Sequence, residues 1–207
     1  MELDFVVPPI TNFEPIDLEA GHAVFTGRLP APLLGQVLDA SWYERFWNQH
    51  PAEYHQIIMH GRPVRTPRWQ VAYGHDYEYT GAVNSAVPIT AEIQPFLLWA
   101  QSTIAPTLNG VLVNFYDGAL GHYIGAHRDS TKNLDPAAPI VMVSIGEARV
   151  FRLRRWRGDG RKWDVLVEAG SVLVLPFETN LIFTHEVPAS KRQSGRRISL
   201  TLRAFRP

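Results

Sequence analysis

The residues whose types and spacing best suit metal chemistry are two histidines and one aspartate: His127, Asp129 and His185. Residues two apart in a strand face the same side, so His127 and Asp129 can offer an imidazole and a carboxylate to one point. An imidazole from His185 would complete a set that occupies one face of an octahedral iron(II) ion and leaves positions open for oxygen. Structural zinc suits this set less well, because it prefers a closed tetrahedral shell.

The HxD spacing is a weak signal by itself, because two polar residues on a solvated turn would show the same pattern. The sequence contains no cysteine, which excludes disulfides, thiolate zinc sites, iron–sulfur clusters and cysteine nucleophiles. Any metal must therefore be held by His, Asp or Glu side chains.

The segment RISLTLR, residues 197–203, alternates strictly between polar and apolar residues. As a strand it would present one polar row, consisting of Arg197, Ser199, Thr201 and Arg203. At roughly 3.3 Å per residue the Cα atoms of the two arginines lie about 20 Å apart, and their long side chains could hold opposite ends of a small dicarboxylate. The alternative is an ordinary edge strand with solvated arginines.

Asn114 and Tyr116 share one face of the segment VLVNFYDG, with Phe115 on the opposite face. Their side chains could add hydrogen bonds to the same acid.

A basic cluster surrounds Trp156 in the segment VFRLRRWRGDGRKW. Its cations are Arg149, which immediately precedes this segment, and Arg152, Arg154, Arg155, Arg157, Arg161 and Lys162 within it. Arginines interleaved with tryptophan suit phosphate contacts and stacking on nucleic acid. The alternative is a solvated, charged hairpin.

The elements that must position these residues follow from hydrophobic periodicity. Apolar spacing predicts one amphipathic helix over residues 32–48 and a second that begins around residues 88–90 and ends before Pro106. Residues 59–81 are typical of loops and short strands. From Val111 onward the apolar segments are β-rich: VLVNFY, PIVMVSIG, VFRL, WDVLV, SVLVLP, NLIFTHEV and RISLTLRAF.

Many short strands at this spacing predict a sandwich or barrel of the jelly-roll kind. We predict an α+β protein with one domain over residues 1–207, in which residues 1–110 form helices and loops and residues 111–207 form the β core. Net charge is zero, but residues 1–126 carry 5 Lys/Arg against 12 Asp/Glu, whereas residues 127–207 carry 15 against 8. This polarity could present a basic face to a polyanion.

No run of 18 uncharged apolar residues occurs, and residues 1–10 (MELDFVVPPI) lack the features of a signal peptide. We therefore expect a protein with no membrane contact, located in the cytoplasm, or in the nucleus of a eukaryote.

The chain contains, in this order, NFYDG (114–118), HRD (127–129), PIVMVSIG, His185 and RISLTLR. This ordered set resembles the AlkB family of Fe(II)/2-oxoglutarate-dependent dioxygenases over about residues 111–206. Weaker similarity extends back to Pro67. Within the family, the segment DGALGHYIGAHRD is most similar to the animal nuclear members that act on duplex DNA. The resemblance implies one dioxygenase domain, with a double-stranded β-helix core and an N-terminal extension of helices and a substrate lid.

The resemblance also implies the residues that hold the reactants. Iron(II) would be held by His127, Asp129 and His185, the catalytic metal ligands, and O2 would react there. Arg203 and Asn114 would bind the keto-acid end of 2-oxoglutarate, and Arg197 and Tyr116 its distal carboxylate. Ser199 is a further cosubstrate-binding position, although an Asn is usual there, and Phe115 replaces a common Arg.

Substrate recognition is implied for the lid and its surroundings. Tyr77 and Tyr79 would hold a flipped base, at roughly 1 to 3 kcal/mol of stacking per base. Counting back from Pro67-Arg68, Met59 and His60 fall where relatives carry a base-wedge finger. The remaining substrate-binding candidates are Arg68, Arg128 and Thr131. Thr131 departs from the acidic residue usual in repair enzymes, which weakens recognition of a cationic base.

The resulting hypothesis is oxidative demethylation of N-alkylated nucleobases, such as 1-methyladenine and 3-methylcytosine, in DNA or RNA by a monomeric enzyme. The products would be succinate, CO2 and formaldehyde. The alternative is an oxygenase of the same fold that hydroxylates a small molecule or a protein side chain, which zero net charge and Thr131 favour. A non-enzymatic binding module is disfavoured because all three ligands and both arginines are present.

Overall fold

The computed structural model describes residues 13–59, 61–79 and 81–206. The helices in this part of the chain are α1 (Ala31–Leu38), α2 (Ala40–Trp47), α3 (Gln94–Thr103) and α4 (Phe177–Ile182). The strands before residue 110 are β1 (Glu14–Asp17), β2 (Ala23–Arg28), β3 (Gln56–Met59), β4 (Arg62–Arg65), β5 (Trp69–Tyr73), β6 (Tyr77–Tyr79), β7 (Ala82–Asn84) and β8 (Ala86–Val87). The later strands are β9 (Gly110–Asp117), β10 (Ile124–His127), β11 (Ile140–Gly146), β12 (Arg149–Arg155), β13 (Trp163–Val167), β14 (Ser171–Leu175), β15 (Phe183–Val187) and β16 (Arg196–Arg203).

Two sheets face each other to form the β core. The larger has the strand order β1-β2-β14-β11-β16-β9-β5-β8, and its neighbours are antiparallel except for β5 and β8. The smaller has the order β10-β15-β12-β13 and is antiparallel throughout. Leu112, Met142 and Leu173 of the large sheet pack in one apolar cluster with Phe151 and Leu153 of the small sheet. This arrangement confirms the predicted jelly-roll core.

The other face of the large sheet packs against the helices. Val113, Phe115 and Leu200 belong to the same apolar cluster as Phe46 of α2 and Phe96 of α3. The large sheet is therefore buried on both faces, and its strands read as nearly continuous apolar segments.

The predicted single helix over residues 32–48 was wrong, because the chain breaks at Asp39 into α1 and α2. Asp39 is extended (φ −72°, ψ 116°), and its carboxylate accepts a hydrogen bond of 2.6 Å from the Trp42 backbone N–H. This is an N-cap that starts a new helix. The second predicted helix exists as α3, but it begins at Gln94, later than expected.

Two boundaries in the β region also differ from prediction. Asn180 to Ile182, assigned by sequence to the strand NLIFTHEV, lie in α4, and β15 begins at Phe183. The sheet also starts well before Val111, since β1, β2, β5 and β8 all join the large sheet. These strands are short, so their periodicity is a weak signal.

Strands β3 and β4 form one hairpin and β6 and β7 another, as expected of loops and short strands, whereas β5 between them joins the large sheet. Of the residues around the predicted finger, Met59 ends β3, and Gly61, which precedes β4, has a φ of 75°. His60 and the Met59 side chain fall outside the described part of the structure. Among the described residues, none of the helices has the length and apolar character to cross a membrane.

Candidate active site

His127, Asp129 and His185 converge at one point on the inner face of the small sheet. His127, the last residue of β10, pairs directly with His185 of β15. One ligand atom of each of the three side chains lies within 4.8 Å of the others. The Asp129 Oδ1 atom is 3.5 Å from His127 Nε2 and 3.7 Å from His185 Nε2. These nitrogen and oxygen donors are the kind that iron(II) takes in a facial triad.

Asp129 follows the end of β10, and a side chain from α4 holds its backbone. The Asp129 N–H donates to Asn180 Oδ1 at 2.9 Å, and Asn180 Nδ2 donates to the Asp129 carbonyl at 3.1 Å. Asn180 is fully buried. His127 Nδ1 lies 2.9 Å from the Gly125 carbonyl, which fixes the ring. Arg128 turns away, as expected, and donates to the Leu181 carbonyl.

The protonation states of the cluster suit a divalent cation. Burial opposes ionisation of Asp129, but Arg203 and hydrogen bonds from both histidines hold the pKa of its carboxyl well below the ordinary value. Burial and the charge of His127 lower the pKa of His185. The site therefore offers a carboxylate and a neutral imidazole, the forms that bind metal.

A cavity lies between the two sheets, next to these three residues. The apolar part of its wall includes Leu112, Met142, Phe151, Leu173 and Val187. Its polar part includes Gln70, Asn114, Ser144, Ser199, Thr201 and three arginines: Arg68, Arg197 and Arg203. A cavity with several buried cations and one carboxylate suits an anionic ligand.

The polar row of β16 faces this cavity as predicted. Ile198, Leu200 and Leu202 lie in the opposite apolar cluster. The strand is paired on both sides, by β9 and β11, so the edge-strand alternative is excluded. Asn114 is directly opposite Ser199, and Tyr116 is directly opposite Arg197.

Arg203 also contacts the metal-ligand cluster. Its Nε and Nη2 atoms donate to Asp129 Oδ2 at 3.0 and 2.7 Å, which leaves Oδ1 facing the two imidazoles. The sequence suggested only a cosubstrate contact for Arg203, and nothing in the residue spacing indicated this ion pair.

Comparison with known proteins agrees with this geometry. The family description "2OG-Fe(II) oxygenase superfamily" matches residues 22–203. The human protein "DNA oxidative demethylase ALKBH2" is 31% identical over 196 residues, covering 90% of this chain and 73% of its own. The mouse protein of the same name is 30% identical, and the match covers 73% of this chain and 67% of the mouse protein. The chain belongs to the AlkB family.

A rat relative, "Alpha-ketoglutarate-dependent dioxygenase alkB homolog 3", is 24% identical over 82% of this chain and 61% of its own. As an AlkB-type dioxygenase, the protein uses Fe(II), 2-oxoglutarate and O2.

Arg68, which the sequence analysis assigns to the substrate, lines the cavity between the two sheets. It is 4% exposed, and its Nε donates to Asn114 Oδ1 at 2.8 Å. Gln70 Nε2 donates to the same oxygen at 2.9 Å. Sequence reasoning missed Gln70, although polar residues at 68 and 70 flank Trp69 with the spacing of one strand face.

The lid residue Tyr77 covers the metal-ligand cluster. It is 7% exposed and lines the cavity, its hydroxyl donates to Asp129 Oδ1 at 3.5 Å, and the Arg203 guanidinium lies 4.5 Å from its ring centre. The other lid tyrosine, Tyr79, ends β6, and its side chain is not among those described.

A second, open cavity of about 440 Å³ adjoins the first and shares His127 and Asp129 with it. The remainder of its wall includes Arg128, Ser130, Thr131, Trp156 and Leu181. We call the two spaces the inner and outer cavities. Trp156 is 48% exposed, and the guanidinium groups of Arg128 and Arg157 lie 5.0 and 5.7 Å from its ring centre.

The basic cluster lies on the β12–β13 hairpin, but several of its cations are already paired. Arg152 binds Asp164, Arg154 binds Glu186, and Arg155 lies 3.3 Å from Glu19. Arg149 is 1% exposed and faces inward, so its assignment to a phosphate surface was wrong. Arg157 and Arg161, which lie over tryptophan rings, are better placed for phosphate.

Proposed function

We propose that this enzyme oxidatively demethylates N-alkylated nucleobases in DNA, and that RNA is a secondary substrate. The observation that carries the proposal is that the metal-ligand cluster lies between a cationic inner cavity and a larger outer cavity whose wall includes Arg128 and Trp156. This arrangement suits an anionic cosubstrate on one side of the metal and a base on the other. The names of the human and mouse relatives support DNA.

In this proposal His127, Asp129 and His185 hold iron(II). Asn114 and Arg203 bind the keto-acid end of 2-oxoglutarate, and Tyr116, Arg197 and Ser199 bind the distal carboxylate. When bound, iron and 2-oxoglutarate supply the oxidising chemistry: one atom of O2 enters a methyl C–H bond and the other enters succinate, with release of CO2. The N-hydroxymethyl group then leaves as formaldehyde, and the base regains its N–H or lone pair.

The residues of the chain prepare the site for this chemistry. Arg203 keeps Asp129 ionised and fixes one of its oxygens. Tyr77 covers the cluster and excludes water from the inner side, where a low dielectric strengthens the contacts of the arginines. Asn180 holds the backbone of Asp129 in register with His127.

After it leaves the helix stack, the alkylated base passes through the outer cavity and reaches the metal-ligand cluster, which Tyr77 covers. Tyr77 and Tyr79 stack on the base. Arg128 and Thr131 contact the nucleotide that carries the base, and Arg157 and Arg161 bind nearby phosphates. Met59 and His60 fill the gap in the duplex, and Arg68 supports Asn114. We further propose that the enzyme is one catalytic unit and acts inside the cell as a monomer.

A specific observation favours the second candidate, hydroxylation of a small molecule or a protein side chain. Among the described residues, the only carboxylate in the outer-cavity wall is Asp129, which is committed to the metal. A cationic methylated base would therefore find no opposite charge there.

The test is anaerobic reconstitution with iron(II), followed by turnover with 2-oxoglutarate and oligonucleotides that contain 3-methylcytosine, 1-methyladenine or neutral 3-methylthymine. Single and double strands, in DNA and RNA, are compared by formaldehyde release and base mass. We expect formaldehyde and an unmodified base in a stoichiometry of one to one. Succinate formation without a change in any oligonucleotide would support the second candidate instead.

A further inference from the structure

Arg149 stands in an inward-facing position of β12 where an apolar side chain is expected. Arg149, Phe151 and Leu153 alternate toward the inside of the barrel and are 1%, 4% and 0% exposed. Phe151 lines the inner cavity and stacks on the His185 ring at 5.4 Å between centroids. The interior therefore contains a guanidinium group two residues from the cavity wall.

Most of the hydrogen-bonding capacity of this guanidinium is unused. Arg149 Nη2 donates to the His122 and Pro188 carbonyls at 3.0 and 3.3 Å. Its Nε and Nη1 atoms are buried and, among the described residues, have no hydrogen-bond partner. Burial of a cation without a paired anion lowers the free energy of unfolding, so a buried, unpaired arginine indicates a role other than stabilising the fold.

Arg197 is a second buried arginine with an unpaired side-chain nitrogen among the described residues. It is 3% exposed, its Nε donates to Ser144 Oγ at 3.0 Å, and its Nη1 has no partner among the described residues. Burial lowers the pKa of Arg197, and the positive charge of Arg149 lowers it further, whereas Tyr116 raises it. The two buried guanidinium groups therefore repel each other.

The acid closest in sequence does not neutralise this pair. Burial lowers the pKa of Arg149 and Glu147 only partly opposes this effect, because the Glu147 Oε2 atom accepts a hydrogen bond from the Gly195 N–H. No ion pair within 4.0 Å joins Arg149 or Arg197 to a carboxylate in the described part of the chain. One anion bound to Arg197 in the inner cavity would reduce the repulsion between the two cations.

We propose that Arg149 is a positioning residue for the distal carboxylate of 2-oxoglutarate and makes the site selective for dicarboxylic over monocarboxylic 2-oxo acids. The inference rests on the proposed contact between Arg197 and that carboxylate. Arg149 does not line the cavity. It acts through Arg197 and Tyr116, by adding a second positive charge behind them in a low-dielectric interior.

The test compares the binding of 2-oxoglutarate with that of 2-oxopentanoate, in which a methyl group replaces the distal carboxylate. Binding is measured calorimetrically with Mn(II) in place of iron, so the readout does not depend on turnover. Arg149→Gln removes the charge but keeps donors for the His122 and Pro188 carbonyls. Arg149→Lys restores a charge, and Arg152→Gln is the matched control on the outer face of the same strand.

We expect Arg149→Gln to weaken 2-oxoglutarate binding about tenfold, as loss of a supporting partner does, and 2-oxopentanoate binding less than twofold. Arg149→Lys should recover most of the difference, and Arg152→Gln should match the wild type. Equal weakening of both acids, or no change in either, would overturn the inference.

Arg149→Met covers the case in which the glutamine variant does not fold. Because it removes an uncompensated buried charge, its thermal midpoint without ligand should equal or exceed that of the wild type, while its shift on adding 2-oxoglutarate should be smaller. An undiminished shift would contradict the role of Arg149. Failure of the wild type to bind 2-oxoglutarate with Mn(II) would instead contradict the proposed cosubstrate site itself.

Discussion

The inner and outer cavities differ in how their walls are built. The inner cavity takes its polar groups from central strands, and Asn114, Arg197 and Arg203 are each at most 5% exposed. The outer cavity is walled by the segment after β10, the turn after β12 and the short helix α4, where Trp156 and Leu181 are 48% and 40% exposed. The wall of the inner cavity is therefore fixed mainly by the sheets, whereas the wall of the outer cavity, where we propose that substrate enters, depends on loops and one short helix.

The metal ligands lie at the boundary between the halves, so their removal should have the largest effect. We expect His127→Ala, Asp129→Ala and His185→Ala each to reduce formaldehyde release below detection and to weaken metal binding. Asp129→Ala should also lower the thermal midpoint, because it leaves the buried Arg203 cation without its carboxylate. Full activity in any of the three variants would refute the ligand assignment.

The sequence predicted the sheet-built half better than the loop-built half. The alternation of RISLTLR placed Arg197 and Arg203 on one face, because strand geometry alone decides which side chains share a side. Asn180 was missed, since its role depends on a tertiary contact 51 residues away in the chain. The surface position predicted for Arg149 followed from its charged neighbours in sequence, although its phase in β12 matches that of the buried Phe151 and Leu153.

The second prediction concerns Asn180, which links loop and sheet at Asp129. Asn180→Ala should reduce turnover and iron affinity about 10- to 100-fold, because the backbone that positions Asp129 loses both its hydrogen bonds. Glu178→Gln in the same helix is the control and should be neutral. A loss of thermal stability with unchanged iron affinity would mean that Asn180 supports the fold alone.

The third prediction concerns the lid at Tyr77. Tyr77→Ala should raise the KM for a methylated oligonucleotide about tenfold, because loss of one stacking ring costs roughly 1 to 3 kcal/mol. Tyr77→Phe keeps the ring and removes the hydroxyl that donates a long hydrogen bond to Asp129, so it should stay within about twofold of the wild type. Equal loss in both variants would assign the effect to the hydroxyl and would contradict stacking.

The smallest expected effect is a gain, at Thr131 in the outer cavity. Thr131→Asp adds a negative charge to a wall whose only carboxylate, among the described residues, is the committed Asp129. A charge interaction of about 1 kcal/mol in a solvent-accessible site would improve turnover of cationic 3-methylcytosine about fivefold relative to neutral 3-methylthymine. Thr131→Asn controls for the change of shape, and added salt should reduce the gain. An unchanged ratio between the two bases would show that the outer cavity does not read the charge of its ligand at this position.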